Sequence, residues 1–505
     1  MCDENEDNKT AKLNFKIDPL LHEGEGHKPV KDMTRRELLG QGFILGAGTI
    51  MAPTFIAALS EKAYGQVVNC GGAIAAGDKI GFLSLDLSGG ASISGNVLIG
   101  QQGGQMDALS ADGYKFLGWA PGTEDQVSNE LGLVFQADSG FLRGIKDKAS
   151  TAALSRVNGA VVSLKSNNDT QNNTQSPIYG ISKAGASGAI SSLMATGTST
   201  SGAKSQSPAQ LINLEVKPIR VRSNNDLNGT VDTGKLVGDL GSASALKVLN
   251  RISNLSESKK AKLTDTQVQK DLLQCGYIKA EETIATFGSP DALDVFQDNI
   301  LVGQNDSIFT MNELTGNSKL NRAATYSKAI VNGYGGAGVI EMGGYDYHNG
   351  TRSRGETRDF EAGQTMGAAI EYAHRMGKPL IVYVSSDGSV RSDGEIDNSA
   401  DGRGKGVWRG DSGSNSAAFM LAYNPGGRPA MTAIGNQLGY YIAEGVAATA
   451  ANLVGNSPTN LAYWAILNFM ALNGDVGNFI TEFPENPFGS TSAQLTPYIN
   501  FQPLA

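Results

Sequence analysis

One β–α–β pattern constrains the fold of this chain more than any other stretch of its sequence. Ala337–Met342 is a short apolar run that predicts a strand, and a polar loop over residues 343–357 follows it. The next segment has apolar residues at helical spacing, and Gly377 and Pro379 end the predicted helix. Leu380–Val384 is then continuously apolar, as expected for a parallel strand that is covered on both faces. The sequence therefore predicts an α/β protein with a mostly parallel sheet sandwiched by helices.

Three further apolar runs extend this predicted sheet. Lys79–Asp86 has the pattern of a short buried strand that ends in an acid, and Gly89 and Gly90 predict a turn after it. Asn158–Leu164 and Ala417–Tyr423 also predict strands. The sheet is therefore expected to draw its strands from both the first and the last third of the chain.

Residues 66–505 are predicted to form a single α/β domain with a loop-rich and helical insertion at 166–330. The segments 166–177 and 195–207 are rich in Ser, Thr, Asn and Gly, which indicates surface loops rather than core. Residues 242–287 contain good helix formers at helical spacing and predict a helical subdomain within the insertion.

Acidic side chains follow three of the predicted strands. Asp86 ends the first strand, Asp346 lies in the loop after Ala337–Met342, and Asp387 follows Leu380–Val384. Ligands bind beside the carboxyl ends of the strands in open α/β sheets, and parallel strands of one sheet share that edge. We therefore expect Asp346 and Asp387 to meet at this edge, with Asp86 beside them.

The residue types at this edge are those of a metal-assisted ester hydrolase. Such a site needs carboxylate and imidazole ligands and a hydroxyl group that attacks the ester. The predicted metal ligands are, in chain order, Asp86, Asp346, His348, Asp387 and Asp411. Ser88 is the predicted nucleophile. The alternative is ordinary turn chemistry, because Asp and Ser residues after strands often cap the next helix or close a turn.

Oxygen ligands outnumber nitrogen ligands in this set. The chain has only 4 His, and two of them, His22 and His27, precede the apolar part of the N-terminal segment. A bound ion is therefore expected to be Mg²⁺, Mn²⁺ or Ca²⁺ rather than Zn²⁺. The alternative is that no cation binds and that arginines in the adjoining loop neutralise the acids, which would otherwise repel one another. These arginines are Arg391, Arg403 and Arg409.

The first 65 residues carry the pattern of an export signal. Thr34–Leu39 contains paired arginines, and no charged residue occurs from 38 to 60. With the small residues of Ala63–Gly65, this pattern resembles a twin-arginine (Tat) signal behind a long n-region. We expect the Tat translocase as a partner, location in the periplasm or at the cell exterior, and no permanent membrane span after processing. The alternative is a retained single membrane helix, since the uncharged span is long enough.

The charge of the chain bears on its possible partners, and its cysteine content bears on whether it can form a disulfide. The chain has 505 residues and a net charge of −9, with 41 Lys and Arg against 50 Asp and Glu. It has no basic block outside the N-terminal segment, which argues against nucleic acid as a partner. Cys70 and Cys275 would remain after signal removal. They either form one disulfide in an oxidising compartment or stay as separate buried thiols.

Several motifs occur in an order that is typical of one family. Leu85–Gly90 holds the early strand with a Gly-Gly turn, and Gly344–Asn349 holds a Gly-aromatic-Asp-x-His motif. A Ser-Asp loop follows at Val384–Gly388, and Asp411–Ser412 precedes another strand. Over most of residues 78–475, this order resembles a Tat-exported bacterial family of unknown function in the alkaline phosphatase–sulfatase superfamily. The resemblance implies a parallel sheet sandwiched by helices.

Two imidazole ligands of the sulfatase-like pattern are missing. Gly388 takes the place of a His after Asp387, and Ser412 that of a His after Asp411. A two-zinc phosphatase needs more nitrogen ligands than these. The resemblance therefore implies an exported alkaline phosphatase/sulfatase-like protein with a degenerate metal site and a binding or surface- or secretion-associated assembly role. The alternative is a metal-dependent hydrolase of phosphate or sulfate esters, so enzyme activity stays open at this point.

Overall fold

The computed structural model describes residues 77–166, 173–231, 281–288 and 290–504, together with scattered residues between 243 and 254. All of them belong to one compact unit, Thr49–Ala505. The predicted signal over residues 1–65, Cys70, Cys275 and most of the helical subdomain at 242–287 lie outside the described residues. Within the described part, no helix is long and apolar enough to cross a membrane.

An eight-stranded mixed sheet forms the centre of the molecule. The strands of the described chain are β1 Gly81–Ser88, β2 Val127–Leu131, β3 Leu133–Gln136, β4 Val157–Leu164, β5 Ser191–Ala195, β6 Ile219–Arg220, β7 Gly335–Gly343, β8 Leu380–Ser386, β9 Ser389–Asp397, β10 Lys405–Ser412, β11 Ser416–Tyr423 and β12 Gln437–Leu438. The sheet order is β12-β4-β11-β8-β1-β7-β5-β6. Neighbouring strands are parallel except for β11, which runs antiparallel to both β4 and β8. The predicted α/β class with a mostly parallel sheet is therefore confirmed.

Helices cover both faces of this sheet. The α-helices are α1 Ala111–Phe116, α2 Gly140–Lys148, α3 Thr151–Leu154, α4 Ile178–Lys183, α5 Asn224–Gly229, α6 Met311–Gly316, α7 Ser318–Val331, α8 Ser353–Met376, α9 Pro458–Leu472, α10 Phe479–Glu482 and α11 Ser492–Leu495. Leu83, Leu85 and Leu87 of β1 lie in a core with α2, α7 and α8. Phe82 lies in a second core on the other face, with α4 and α9. This alternation along β1 directs Asp86 toward the α4 and α9 face.

The predicted strands agree with the observed ones to within a few residues, but two predicted loops differ. The segment that contains Arg391, Arg403 and Arg409 was expected to be a loop and instead forms the antiparallel hairpin of β9 and β10. The hairpin forms because Val390, Val407 and Trp408 are buried, while charged residues alternate with buried ones along β9. The predicted surface loop at 195–207 is largely internal, since Ser201, Ala203 and Ser205 are buried there.

The segment 166–330 also contributes to the main sheet. Its strands β5 and β6 extend the sheet beyond β7, and α7 lies in the core on the Leu83 face. This segment is therefore more than a set of loops and helices added to the domain. Because β7 is placed between β1 and β5, both sides of its carboxyl end are lined by protein.

Candidate functional site

The carboxyl ends of β1, β7 and β8 lie side by side at one edge of the sheet. Asp86 of β1 pairs in register with Glu341 of β7 and with Ser385 of β8. This edge therefore brings together the ends of β1, β7 and β8, where the sequence places acidic residues at or just after each strand. The five predicted ligands nevertheless separate into a buried group and an exposed group.

Asp86 belongs to the buried group, with only 2% of its surface exposed. The backbone N–H of Ser205 donates to Oδ2 at 2.9 Å, and the Ser205 hydroxyl donates to Oδ1 at 2.6 Å. Burial raises the pKa of Asp86 to about 6, against the lowering effect of these two bonds, and the charges of Asp387 and Glu341 raise it further. Both carboxylate oxygens are thus engaged by protein donors.

Asp387 is the second member of the buried group. Its Oδ1 accepts a hydrogen bond of 2.8 Å from the backbone N–H of Gly89, and its carbonyl oxygen accepts from Ser166 and Asn173. Gly89 has φ +118°, and a Cβ at this position would lie 2.5 Å from the backbone nitrogen of Asp346. Only glycine allows this approach, which brings the loop after β7 against the turn after β1.

Ser88, the predicted nucleophile, is only 5% exposed. Among the described residues, its Oγ has no hydrogen-bond partner, and its carbonyl oxygen accepts from the backbone N–H of Tyr345 at 3.2 Å. An attacking hydroxyl is activated by an adjacent base or by metal coordination. In the described part of the chain, neither an imidazole nor a carboxylate hydrogen-bonds to the Ser88 hydroxyl.

Asp346, His348 and Asp411 form the exposed group, which we call the Asp–His–Asp cluster. The Nε2 atom of His348 lies 2.5 Å from Oδ1 of Asp346 and 3.2 Å from Oδ1 of Asp411. One ligand atom from each residue lies within 4.8 Å of the other two. The side chains are 63%, 36% and 39% exposed, in chain order. The structure therefore brings together three of the five predicted ligands.

Two tyrosines hold the cluster loop in place. Tyr345 and Tyr347 are fully buried, and the Tyr345 hydroxyl donates to the carbonyl oxygen of Arg358 at 2.7 Å. The Tyr347 hydroxyl accepts from the backbone N–H of Ser92 at 2.8 Å and lies 3.2 Å from Oδ1 of Asp359. Side chains alternate in direction along this extended loop. Because Tyr345 and Tyr347 point into the core, Asp346 and His348 point toward solvent. Sequence reasoning missed these anchors, although their alternation with the two ligands was visible.

Asp359 lies beneath the cluster loop and is fully buried. Asn96 donates to its Oδ2 at 2.7 Å. Burial raises the pKa of Asp359 to about 7, and the nearby Glu356 charge adds to this, while the Asn96 and Tyr347 hydrogen bonds and the Arg352 charge oppose it. The carboxyl group thus contributes to the hydrogen bonds that fix Tyr347.

A buried ion network fixes the hairpin that carries Asp411. Arg352 Nε donates to Glu356 at 2.9 Å, and Lys405 Nζ donates to the same oxygen at 2.9 Å. The guanidinium group of Arg352 lies 4.2 Å from the ring centroid of Trp408. Lys405 and Trp408 belong to β10, so the network ties the hairpin to the start of α8. Asp411, three residues beyond Trp408, is thereby held near the loop after β7.

Two of the three arginines that were expected to neutralise the acids pair with other residues. Arg403 forms a two-point contact with Asp138, and Arg409 pairs with Asp393 and Glu395. Arg391 lies beside Gly410. The imidazole of His348 is the group that the described contacts place between Asp346 and Asp411.

His374 was expected to lie at the border of the apolar face of its helix, and it is half-buried in α8. Its Nδ1 is 2.9 Å from the hydroxyl of Tyr423. It packs edge-on against that ring. This histidine therefore has a packing role at the amino end of β8, since Tyr423 pairs with Leu380.

Fold and site together define an α/β protein with a candidate cation site at the carboxyl edge of its sheet. Neither a scan against protein-family models nor a search of curated proteins finds a match to this chain. Its function is therefore inferred from the side chains at this edge.

Proposed function

We propose that this chain is an exported alkaline phosphatase/sulfatase-like protein that binds a divalent cation through the Asp–His–Asp cluster and serves in binding or surface assembly rather than in ester hydrolysis. The observation that carries the proposal is the separation of the predicted ligands into two groups. Asp86 and Asp387 are buried and hydrogen-bonded internally. Asp346, His348 and Asp411 converge where solvent reaches them.

The donor set of the cluster fits a divalent cation. Two carboxylates and one imidazole lie close enough for their ligand atoms to share one ion. Carboxylates suit Mg²⁺, Ca²⁺ and Mn²⁺, whereas an imidazole ligand favours transition metals, so Mn²⁺ matches the mixed set best. Metal binding requires the neutral form of an imidazole ligand.

The alternative function, hydrolysis of phosphate or sulfate esters, has less support from this geometry. It needs Ser88 to reach a substrate with its hydroxyl activated by a metal or a base. Ser88 is buried, and the buried acids Asp86 and Asp387 accept hydrogen bonds from Ser205 and Gly89. The acids that solvent reaches belong to the Asp–His–Asp cluster instead.

The exposure of the cluster favours a role in binding. Three protein ligands leave several coordination positions of a divalent ion to water. Because these positions face solvent, a carboxylate or phosphate group of another molecule can replace the water. A cation at this place would therefore join the protein to an anionic partner.

Manganese titration of the purified folded protein, followed by the loss of the free-ion electron paramagnetic resonance signal, tests the proposal. We expect one bound Mn²⁺ per chain and at least a roughly tenfold weaker affinity for His348→Ala and Asp411→Asn. His374→Gln is the matched control, because His374 contacts Tyr423 and not the cluster. The expected affinity of this control equals that of the wild type.

Two results would overturn the proposal. The first is an unchanged manganese affinity in both cluster variants. The second is turnover of 4-nitrophenyl phosphate or 4-nitrophenyl sulfate that disappears in Ser88→Ala. That activity would establish the hydrolase and assign Ser88 its predicted role as nucleophile.

A further inference from the structure

The buried carboxyl group of Asp359 joins the cluster loop to the body of the protein. Its Oδ1 lies 3.2 Å from the hydroxyl of Tyr347, which stands between Asp346 and His348 in the chain. Its Oδ2 accepts a hydrogen bond from Asn96 at 2.7 Å, and Asn96 also accepts from a backbone N–H at the start of α2. This chain of hydrogen bonds therefore connects a buried acid to the residue between two proposed cation ligands.

The protonation state of Asp359 affects how firmly the Tyr347 hydroxyl is held. This hydroxyl accepts from the backbone N–H of Ser92 at 2.8 Å, so its own proton is directed to Oδ1 of Asp359. Hydrogen bonds to an ionised group are roughly twice as strong as those between neutral groups. A protonated Asp359 brings a donor of its own to the same contact. Protonation should therefore weaken the hydrogen bond that fixes Tyr347.

Two charged groups at the start of α8 act on Asp359 and oppose each other. Arg352 and Glu356 pair at 2.9 Å, and Glu356 also binds Lys405 of β10 and Arg143 of α2. On the cluster loop, the two buried tyrosines stay neutral, because burial raises the pKa of each well above its ordinary value. Burial, together with the Glu356 charge, raises the pKa of Asp359 to about 7. The acid therefore changes its charge near neutral pH.

We propose that Asp359 is a positioning residue for the Asp–His–Asp cluster, and that its ionised form raises the affinity of the cluster for a divalent cation by holding Tyr347. The inference rests on the proposed cation site and adds the regulation of that site. A firmly held Tyr347 keeps Asp346 and His348 in the arrangement that brings their ligand atoms together. A ligand set that is already ordered loses less conformational freedom when it binds. The contribution of Asp359 to cation affinity should therefore grow between about pH 6 and about pH 8.

Manganese titrations of the wild type and of Asp359→Asn at about pH 6 and about pH 8 test this inference. Asn has nearly the shape of Asp and carries no charge, so it stands for the protonated acid at both pH values. We expect the two affinities to agree within about twofold at about pH 6, and the wild type to bind about fivefold or more tightly at about pH 8. Protons that compete with the metal at the cluster ligands affect both proteins alike, so they cancel in the ratio of affinities. Agreement at the lower pH also shows that the variant is folded.

Glu482→Gln is the matched control. Glu482 is an exposed acid of α10, and Phe479 of the same helix lies in the core on the other face of the sheet. The affinity of this variant relative to the wild type should be the same at both pH values. A second comparison uses Tyr347→Phe, which keeps the ring and removes the hydroxyl. Adding Asp359→Asn to Tyr347→Phe should leave the affinity nearly unchanged at both pH values, because the link to the loop is already broken.

Two results overturn the inference while leaving the cation site intact. The first is a ratio of wild-type to Asp359→Asn affinity that does not change with pH, which would show a purely structural role. The second is a pH-dependent ratio that persists in the Tyr347→Phe background, which would show that the charge acts without the hydroxyl. A wild type that binds no manganese at about pH 8 would instead overturn the proposed function, and this inference with it.

Discussion

Replacing Asp86 by Asn distinguishes an acid that stabilises the fold from an acid that binds a metal. Burial raises the pKa of Asp86 from 3.8 to about 6. The folded state therefore holds a proton more tightly than the unfolded state does. The stability that this group contributes is present below its unfolded pKa and is lost as pH rises through its folded pKa. The wild type should therefore lose stability through this group between about pH 4 and about pH 7.

The size of this loss follows from the shift. A difference of about two pH units corresponds to about 3 kcal/mol at 1.36 kcal/mol per unit, and about 2 kcal/mol of it falls between about pH 4.5 and about pH 8. An Asn at position 86 carries no charge at any of these pH values. Its amide can still accept from the Ser205 backbone and donate to the Ser205 hydroxyl. Asp86→Asn should therefore gain about 2 kcal/mol relative to the wild type over that interval.

Urea unfolding at about pH 4.5 and about pH 8 measures the free energy of unfolding of the wild type and of Asp86→Asn. The change between the two pH values is then compared for the two proteins. Asp401→Asn is the matched control, because Asp401 is exposed in the turn between β9 and β10, and it should change the difference by less than about 0.5 kcal/mol. If Asp86 is instead a metal ligand, the stability of Asp86→Asn relative to the wild type should change in the opposite direction. If the substitution destabilised the protein more at about pH 8 than at about pH 4.5, and a chelator did the same to the wild type, Asp86 would be a cation ligand and the structural explanation would be refuted.

Three other predictions can be tested separately. Gly89→Ala should destabilise the protein by about 2 kcal/mol or more in urea unfolding, because the added Cβ would meet the Asp346 backbone at 2.5 Å; an unchanged midpoint would contradict that contact. Changing Arg35–Arg36 to two lysines should retain the protein in the cytoplasm, as cell fractionation would reveal, and normal export of this variant would exclude the Tat route. If Cys70 and Cys275 form a disulfide, mass spectrometry of the unreduced exported protein should find both thiols blocked, and two free thiols would rule it out.

The β–α–β pattern was sufficient to predict the central strands. Ala337–Met342 and Leu380–Val384 lie inside β7 and β8, because continuous apolar runs are typical of parallel strands covered on both faces. The hairpin of β9 and β10 was missed because charged residues alternate with the buried positions of β9. The segment therefore lacks a continuous apolar run that would predict a strand. Trp408 makes the hairpin stable by packing on Arg352 and Tyr347, and a tertiary contact of this kind leaves no local pattern in the sequence.

The candidate site was predictable only in part, and for a similar reason. The rule that ligands gather at the carboxyl edge of a parallel sheet predicted that the four acids and His348 lie near this edge. It could not predict that Asp86 would find Ser205, 119 residues away in a Ser-rich segment. That partner turns Asp86 inward, while Tyr345 and Tyr347 turn Asp346 and His348 outward. Long-range hydrogen bonds and aromatic anchors therefore decided which acids are buried and which are exposed to solvent.

Anomalous X-ray diffraction from crystals grown with Mn²⁺ tests the central claim most directly, because it locates the ion among the acids. We expect one manganese peak within about 2.0–2.6 Å of Asp346, His348 and Asp411, and no peak in crystals of His348→Ala. A peak between Asp86 and Asp387 beside Ser88, with the Asp–His–Asp cluster empty, would contradict the assignment and support the metal-dependent hydrolase instead.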